Sequence, residues 1–243
     1  MLISLHIPKA AGTSFRIALE QKFGSGLLRD YDDRPIHSSP AERNAKALRD
    51  CQLNRERSFE GVACIHGHFL PRKYLPLIEK ESTRLVTWLR DPVERLASNY
   101  RHWKRFGQCD QGSPLVRRFI DQQWSFERFC FADELKDLYS QFLWDFSFAR
   151  FDFVGITEHY EEDMACFSQR FLDAPAAVYR CNVNPDATGR KYVSDAGLRA
   201  DIEAFHAKDM ALYRQALALR QARLSSASPA LLFSSQSCHE VQP

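Results

Sequence analysis

The chain has 243 residues, with 33 lysines and arginines against 31 aspartates and glutamates, and a formal net charge of +2. Hydrophobic residues make up 44% and charged residues 26%, values ordinary for a soluble globular protein with a sizeable core. This balance argues against a general nucleic-acid-binding protein, so any anion site must be local.

Cysteine usage and hydropathy indicate a compartment. The seven cysteines are scattered and form no C-x-x-C pair, which argues against both a disulfide framework and a zinc cluster. No stretch approaches the roughly 20 apolar residues that span a bilayer. We therefore expect a soluble, cytoplasmic protein without a membrane span, although a chain cut from a Golgi-lumenal protein would have the same features.

The chain opens with a strand, a loop and a helix. The apolar run over residues 2–7 predicts a short buried strand, and apolar spacing predicts a helix over 13–23. The backbone N–H groups of residues 10–14 could converge on an anion at the N-terminus of that helix, with Lys9 adding a full charge. The simpler alternative is that a hydroxyl residue only caps the helix and Lys9 is solvated.

This loop differs from the phosphate loop of nucleoside triphosphatases. In that motif, G-x-x-x-x-G-K-S/T, the lysine stands immediately before the hydroxyl residue. Here Thr13 occupies the position of that lysine, in front of Ser14, and Lys9 lies three residues before Gly12. Triphosphate chemistry is therefore poorly supported.

The next strand, predicted over residues 62–65, is followed by two histidines. His66 and His68 are separated by one glycine, so in extended geometry their side chains share a face. Zinc would need a third ligand, and none lies nearby with metal-ligand spacing. Because imidazole titrates near neutrality, the pair suits removal of a proton from a hydroxyl better than it suits a metal.

A third strand and its following helix meet at a charged loop. Arg90 stands at the carboxyl end of the strand, and Ser98 follows two helical turns later. The two could bind one phosphate, the guanidinium as a fork and the hydroxyl as a donor. The alternative is a structural ion-pair network at the start of the helix, which we favour for Glu94 and Arg95.

Strands alternate with helices, which predicts an α/β fold of three layers, with a mainly parallel sheet flanked by helices. Such sheets bind ligands at the carboxyl ends of their strands. Strands are predicted over 2–7, 62–65, 85–89, 151–156 and weakly 177–179, and helices over 13–23, 40–54, 72–81, 92–105, 114–149 in pieces, 159–172 and 195–223.

Two regions interrupt the alternation in what we predict to be a single domain over residues 1–224. Residues 105–150 are rich in aromatic side chains and predict a helical insertion whose rings form core, with a stacking platform for sugars or bases as the alternative. Residues 225–243 are rich in serine and lack periodicity, which predicts a disordered tail.

Two of these stretches resemble a known family. HIPKAAGTSF, residues 6–15, is similar to the 5′-phosphosulfate loop of sulfotransferases, P-K-T/A-G/A/S-G/S-T-S/T. LRDPVERLASNY, residues 89–100, is similar to their 3′-phosphate motif, R-D/N-P-x-E/D-R-x-x-S-x-Y/F. The motifs stand in the family's order, about 80 residues apart, and the resemblance runs from residue 2 to about 220. Within the superfamily the chain most resembles the carbohydrate branch that includes heparan sulfate 2-O- and uronyl 2-O-sulfotransferases.

The resemblance implies a P-loop-like fold and a metal-independent transfer of a sulfuryl group. The donor would be 3′-phosphoadenosine 5′-phosphosulfate, the product 3′-phosphoadenosine 5′-phosphate, and the acceptor a hydroxyl, in this branch on a carbohydrate. His68 would be the general base and His66 a supporting residue, although other members of the wider family use glutamate as the base. Lys9 would stabilise the oxygen that bridges phosphorus and sulfur as that oxygen gains charge. The implied cofactor-binding residues are Lys9, Ala10, Ala11, Gly12, Thr13, Ser14, Arg90 and Ser98, together with Arg190 and Lys191. The last two stand in a polar loop that could equally be a solvated turn without a role in binding.

Other function classes stay open at this point. An atypical P-loop nucleotide-binding protein or small-molecule kinase would share the first loop, but not the displaced lysine or the second motif. A non-catalytic glycan-binding protein could share the fold, but would need no base. The sequence fixes neither the acceptor nor the oligomeric state. Seven basic residues could line a groove for an acidic glycan or could simply be solvated: Arg72, Lys73, Arg101, Lys104, Arg105, Arg117 and Arg118.

Overall fold

The computed structural model describes residues 1–33, 35–107, 113–172 and 192–226. Within them, five strands form one sheet in the order β2-β3-β1-β4-β5, and every neighbouring pair is parallel. The strands are β1 (Leu2–Leu5), β2 (Leu27–Asp30), β3 (Cys64–Gly67), β4 (Arg84–Leu89) and β5 (Phe153–Ile156).

Helices connect the strands, since parallel neighbours need crossover connections. The described helices are α1 (Gly12–Phe23), α2 (Pro40–Glu56), α3 (Leu75–Ile78), α4 (Pro92–Phe106), α5 (Pro114–Asp121), α6 (Phe126–Cys130), α7 (Leu138–Phe142), α8 (Tyr160–Phe171), α9 (Ala196–Phe205) and α10 (Ala207–Ser226).

Alternate residues of each strand enter two different cores. On one face, Ile3 and Leu5 of β1 pack in a cluster that includes side chains of α7 and α10. On the other face, Leu2 packs in a cluster that includes side chains of α1 and α8. Because the sheet is covered on both faces, the predicted three-layer α/β fold is confirmed.

The aromatic region forms core, as predicted. Phe119, Trp124 and Phe129, from α5, α6 and the turn between them, are at most 6% exposed and pack with Trp103 of α4. The sheet's own core is reached by α7 and the segment that follows it, through residues such as Tyr139 and Phe148. The first part of the region therefore extends the molecule beside α4, and its last part lies against the sheet.

The structure and the predicted elements differ at β2 and in the segment 71–78. β2 was not predicted, because its sequence LLRD is short and half polar, which suits an edge strand. The helix predicted over 72–81 is a 3₁₀ turn, Pro71–Tyr74, followed by the single turn α3, where Pro76 lacks a backbone donor. The strand predicted over 177–179 lies outside the described residues, as does most of the predicted tail.

No helix in the described ranges is long and apolar enough to cross a bilayer. The described cysteines, Cys51, Cys64, Cys130 and Cys166, are free thiols, and all but Cys166 are buried.

Candidate active site

Polar side chains follow all five strands at the edge of the sheet where the strands end. Tyr31 follows β2, His68 follows β3, His6 follows β1, Arg90 follows β4, and Glu158 lies two residues after β5. Since parallel strands end at the same edge, these residues line one crevice, the place where sheets of this kind bind ligands.

The loop between β1 and α1 is held in an uncommon shape. Lys9 and Ala11 have positive φ angles of 70° and 56°, which cost non-glycine residues of the order of 1 kcal/mol or more. Ala10 between them is buried. α1 begins at Gly12 without a side-chain cap, and its first hydrogen bond runs from Phe15 N–H to the Ala11 carbonyl, 3.2 Å. The alternative in which a hydroxyl residue caps this helix is therefore wrong, and Thr13 and Ser14 lie in its first turn.

Gly12 is required by a close approach of the His6 ring. A Cβ atom built on Gly12 would lie 1.6 Å from Nε2 of His6. The imidazole therefore packs directly on the start of α1, and the β1 loop and the histidines form a single site.

The cationic side of the crevice joins the two predicted motifs. Nη1 of Arg90 donates to the carbonyl of Lys9 at 3.5 Å. Burial, and then the charge of Arg90, lowers the pKa of Lys9 below its usual value. Because the charge of Arg90 acts on Lys9, an anion bound near both side chains would relieve their repulsion.

An aromatic ring that the sequence did not single out gathers two arginines. The guanidinium carbon of Arg90 lies 5.4 Å from the ring centre of Tyr192, and that of Arg101 lies 4.0 Å from it. Ser98 is half-buried on α4, one turn before Arg101. Arg101 therefore lies beside Arg90 and Ser98, the residues predicted to bind phosphate. The sequence had placed Arg101 in a possible acceptor groove instead.

The start of α4 contains the predicted ion-pair network, with an unforeseen partner. Asp91 accepts hydrogen bonds from the N–H groups of Val93 and Glu94 at 3.0 and 3.1 Å. Arg199 of α9 ion-pairs with both Asp91 and Glu94. The structural interpretation of Glu94 is confirmed, whereas Arg95 takes no part in these ion pairs and is 1% exposed in the core.

Glu158 supports the phosphate motif from the neighbouring strand. Its carboxylate accepts the N–H of Asp91 at 3.0 Å and lies 4.0 Å from Nε of Arg90. Burial raises the pKa of this carboxyl group above its usual value. Glu158 also accepts the hydroxyl of Tyr213 at 3.2 Å, so it connects the β4 loop to α10.

The other side of the crevice is a cluster of imidazoles. The His6 ring centre lies 4.6 Å from that of His68 and 5.3 Å from that of His66, and the ring of Tyr31 meets His68 edge-on at 4.8 Å. Nδ1 of His66 is hydrogen-bonded to the hydroxyl of Ser4 at 2.8 Å. His66 is 1% exposed, whereas His68 is half-buried and nearer the solvent.

Two of these imidazoles are held neutral. Burial, followed by nearby cationic groups, lowers the pKa of His66 to about 3 and that of His6 well below 6.5. Nδ1 of His6 and Nε2 of His66 are buried without a hydrogen-bond partner among the described residues. The described ranges contain no group of three or more His, Cys, Asp or Glu side chains arranged to hold a metal ion.

Several predicted groove residues serve the fold instead. Lys73 is buried and pairs with Asp30 at 2.7 Å, so its assignment to an acceptor groove is wrong. Arg72 pairs with Asp145 at 3.0 Å, and Arg118 pairs with Glu134. The exposed members of the predicted groove are Arg101, Lys104, Arg105, Arg117 and Arg118. Arg190 and Lys191 lie outside the described residues.

No family model matches the chain, and no curated protein matches it. Among solved structures, the chain is similar to a sulfotransferase from Alicyclobacillus acidocaldarius, with 16% identity and a TM-score of 0.43 over 90% of this chain and 95% of that one. A likeness this distant does not place the chain in a family.

Proposed function

We propose that this protein is a sulfotransferase. It moves a sulfuryl group from 3′-phosphoadenosine 5′-phosphosulfate to a hydroxyl of an acceptor, for which the motifs favour a carbohydrate. One observation carries the proposal: the two motif stretches, far apart in sequence, meet where the Arg90 guanidinium reaches the Lys9 carbonyl at 3.5 Å, beside the uncharged imidazoles of His6 and His66.

The two sides of the crevice fit the two halves of that donor. The β1 loop and the first turn of α1 direct backbone N–H groups, with Lys9, at the 5′-phosphosulfate. Arg90 and Ser98 supply a charged fork and a hydroxyl for the 3′-phosphate. A donor with a phosphate at each end would thus extend from the β1 loop to the first turns of α4.

The imidazole side fits the chemistry of the acceptor. His68 takes the proton of the acceptor hydroxyl as its oxygen attacks sulfur, and the bond from sulfur to the bridging oxygen breaks. The bridging oxygen leaves on 3′-phosphoadenosine 5′-phosphate, where the ammonium of Lys9 balances its new charge. His66, held neutral and fixed by Ser4, supports His68 without adding a competing positive charge.

The alternatives fit fewer of these contacts. A P-loop kinase would place a lysine next to the hydroxyl residue at the helix start, where this chain has Thr13. A glycan-binding protein would need neither the strained β1 loop nor neutral imidazoles beside it.

The direct test is transfer of label from ³⁵S-labelled donor to a panel of glycans and small alcohols, with a chelator present in half of the reactions. We expect labelled product and 3′-phosphoadenosine 5′-phosphate in equal amounts, with no loss of transfer in chelator. Lys9→Ala, run beside the parent, should slow transfer strongly. Transfer only to phenols or lipids would overturn the carbohydrate assignment, and transfer of a phosphoryl group from ATP would overturn the reaction itself.

A further inference from the structure

The backbone N–H and carbonyl groups of Arg90 are both hydrogen-bonded to one phenol hydroxyl, that of Tyr139. Tyr139 of α7 is fully buried, and its hydroxyl donates to the carbonyl oxygen of Arg90. The phenol oxygen of Tyr139 also accepts the backbone N–H of Arg90, at 3.2 Å. Both polar groups of the residue that follows β4 are thus satisfied by one atom from a helix 49 residues further along the chain.

Tyr139 is itself fixed by α10. The carboxylate of Asp209 accepts the N–H groups of Tyr139 at 3.0 Å and Ser140 at 3.2 Å, and so caps the short helix α7 from outside. The backbone N–H of Asp209 in turn donates to Asp137 at 3.2 Å, where the chain has a positive φ of 50° just before α7. The phenol therefore has a defined position relative to the sheet.

The Tyr139 ring is packed as tightly as its hydroxyl is bonded. The guanidinium carbon of the buried Arg95 lies 5.7 Å from the ring centre. The ring belongs to the core cluster that contains Leu89, the last residue of β4. Replacing tyrosine by phenylalanine would keep this packing and remove only the two hydrogen bonds to Arg90.

We propose that Tyr139 is a positioning residue for the 3′-phosphate of the donor, because it fixes the peptide from which the Arg90 side chain projects. The inference rests on the proposed function, in which Arg90 binds that phosphate. Without the phenol, the amide and carbonyl of Arg90 lose their hydrogen-bond partner and the peptide rotates. The guanidinium is then no longer oriented to donate two hydrogen bonds to the 3′-phosphate.

The test compares two nucleotides that differ only in the 3′-phosphate. Calorimetry with 3′-phosphoadenosine 5′-phosphate, hereafter the bisphosphate, should show binding about 5- to 20-fold weaker in Tyr139→Phe than in the parent. Binding of adenosine 5′-monophosphate should change less than about twofold, because the contact at stake is to the missing phosphate. In an Arg90→Ala background, Tyr139→Phe should have almost no further effect on the bisphosphate.

Tyr74→Phe is the matched control. Tyr74 is also fully buried and also donates one phenol hydrogen bond, to Asp30 at 2.7 Å, but it does not contact Arg90. It should lose thermal stability much as Tyr139→Phe does, while keeping the parent's affinity for both nucleotides. Should Tyr139→Phe fail to fold, Asp209→Asn loosens α7 while keeping the phenol, and it should give a smaller loss confined to the bisphosphate.

The outcomes separate the two claims. Equal losses for the two nucleotides in Tyr139→Phe, or no loss for either, would overturn the positioning role while leaving the function standing. Failure of the parent protein to bind the bisphosphate would overturn the function, and the positioning role with it.

Discussion

The two sides of the β1 loop differ in charge: one side carries cationic side chains, and the other carries uncharged imidazoles. On the side of β4, Lys9, Arg90 and Arg101 bring three cations together around one loop and one aromatic ring. On the side of β3, the ring centres of His6 and His66 lie 5.3 Å apart, and burial keeps both imidazoles uncharged. The same crevice thus offers fixed positive charge at one end and proton acceptors at the other.

The difference follows from how each side is solvated. The cationic side chains reach water, and the Arg90 side chain is 20% exposed. The imidazoles lie against α1 and the sheet, where a charged ring would lose its water without gaining a carboxylate partner. Under the proposed function, the β4 side is therefore where we expect the anionic donor, and the β3 side is where we expect the acceptor hydroxyl.

The largest effect should come from the imidazole side. His68→Ala should lower turnover about 10²- to 10⁴-fold, the usual share of general-base catalysis, and leave affinity for 3′-phosphoadenosine 5′-phosphate within a few-fold. His66→Ala should cost less, because it leaves the proton acceptor in place. Steady-state transfer from labelled donor measures both. Near-parent turnover in His68→Ala would place the base elsewhere.

Acid should destabilise the fold through the neutral histidines. The folded pKa of His66, about 3, lies below the value of about 6.5 in an unfolded chain, so only the unfolded state takes up a proton between these pH values. Stability should therefore fall as pH falls, by roughly 1.5–2 kcal/mol between pH 7 and 5 from His66. His6 and His206 act in the same direction, while Asp209, whose pKa is raised to about 7, opposes them.

Urea unfolding at pH 7, 6 and 5 measures this dependence. His66→Gln keeps a partner for Ser4 but cannot take up a proton, so its stability should fall less steeply with acid than that of the parent. Parallel curves for the two proteins would show that His66 takes up a proton as readily in the folded state as in the unfolded state, which would remove the contrast between the two sides.

The cationic side should respond through phosphate affinity. Arg90→Ala should weaken binding of 3′-phosphoadenosine 5′-phosphate by about 1.5–3 kcal/mol, the range for a charged hydrogen bond. Adenosine 5′-monophosphate, which lacks the 3′-phosphate, should bind almost as before. If calorimetry finds equal losses for both nucleotides, Arg90 only stabilises the fold.

Arg101 should give the smallest effect. Arg101→Ala removes an exposed cation stacked on Tyr192, and we expect about two- to fivefold weaker binding of 3′-phosphoadenosine 5′-phosphate. Arg105→Ala is the matched control, because it also removes an exposed arginine from α4. Equal losses in the two variants would indicate only a general charge effect, and titration at two salt concentrations would identify it.

Sequence patterns predicted best where the information is local. Strand, loop and helix follow one another within residues 2–23 and again within 84–106, so periodicity and helix-start signals locate both loops. The sheet class follows from the alternation of strands and helices. Only the helix boundary at Gly12 and its missing cap depart from the local pattern.

The missed residues depend on which strands become neighbours. His6 stands inside the first motif, but its role appears only because β3 pairs with β1 and brings His66 and His68 beside it. Tyr31 was missed because β2 is a short polar edge strand. Tyr139 reaches Arg90 from 49 residues away, a contact that no periodicity encodes.

The central claim is that this crevice binds a 3′-phosphorylated adenosine nucleotide and not a triphosphate. Calorimetric competition between 3′-phosphoadenosine 5′-phosphate and ATP with magnesium, on the parent protein, tests it most directly. We predict that the bisphosphate binds at least about tenfold more tightly than ATP with magnesium, which is the contribution expected from one charged hydrogen bond to the 3′-phosphate. Tighter binding of ATP with magnesium would contradict the claim and identify the site as a phosphoryl-transfer P-loop.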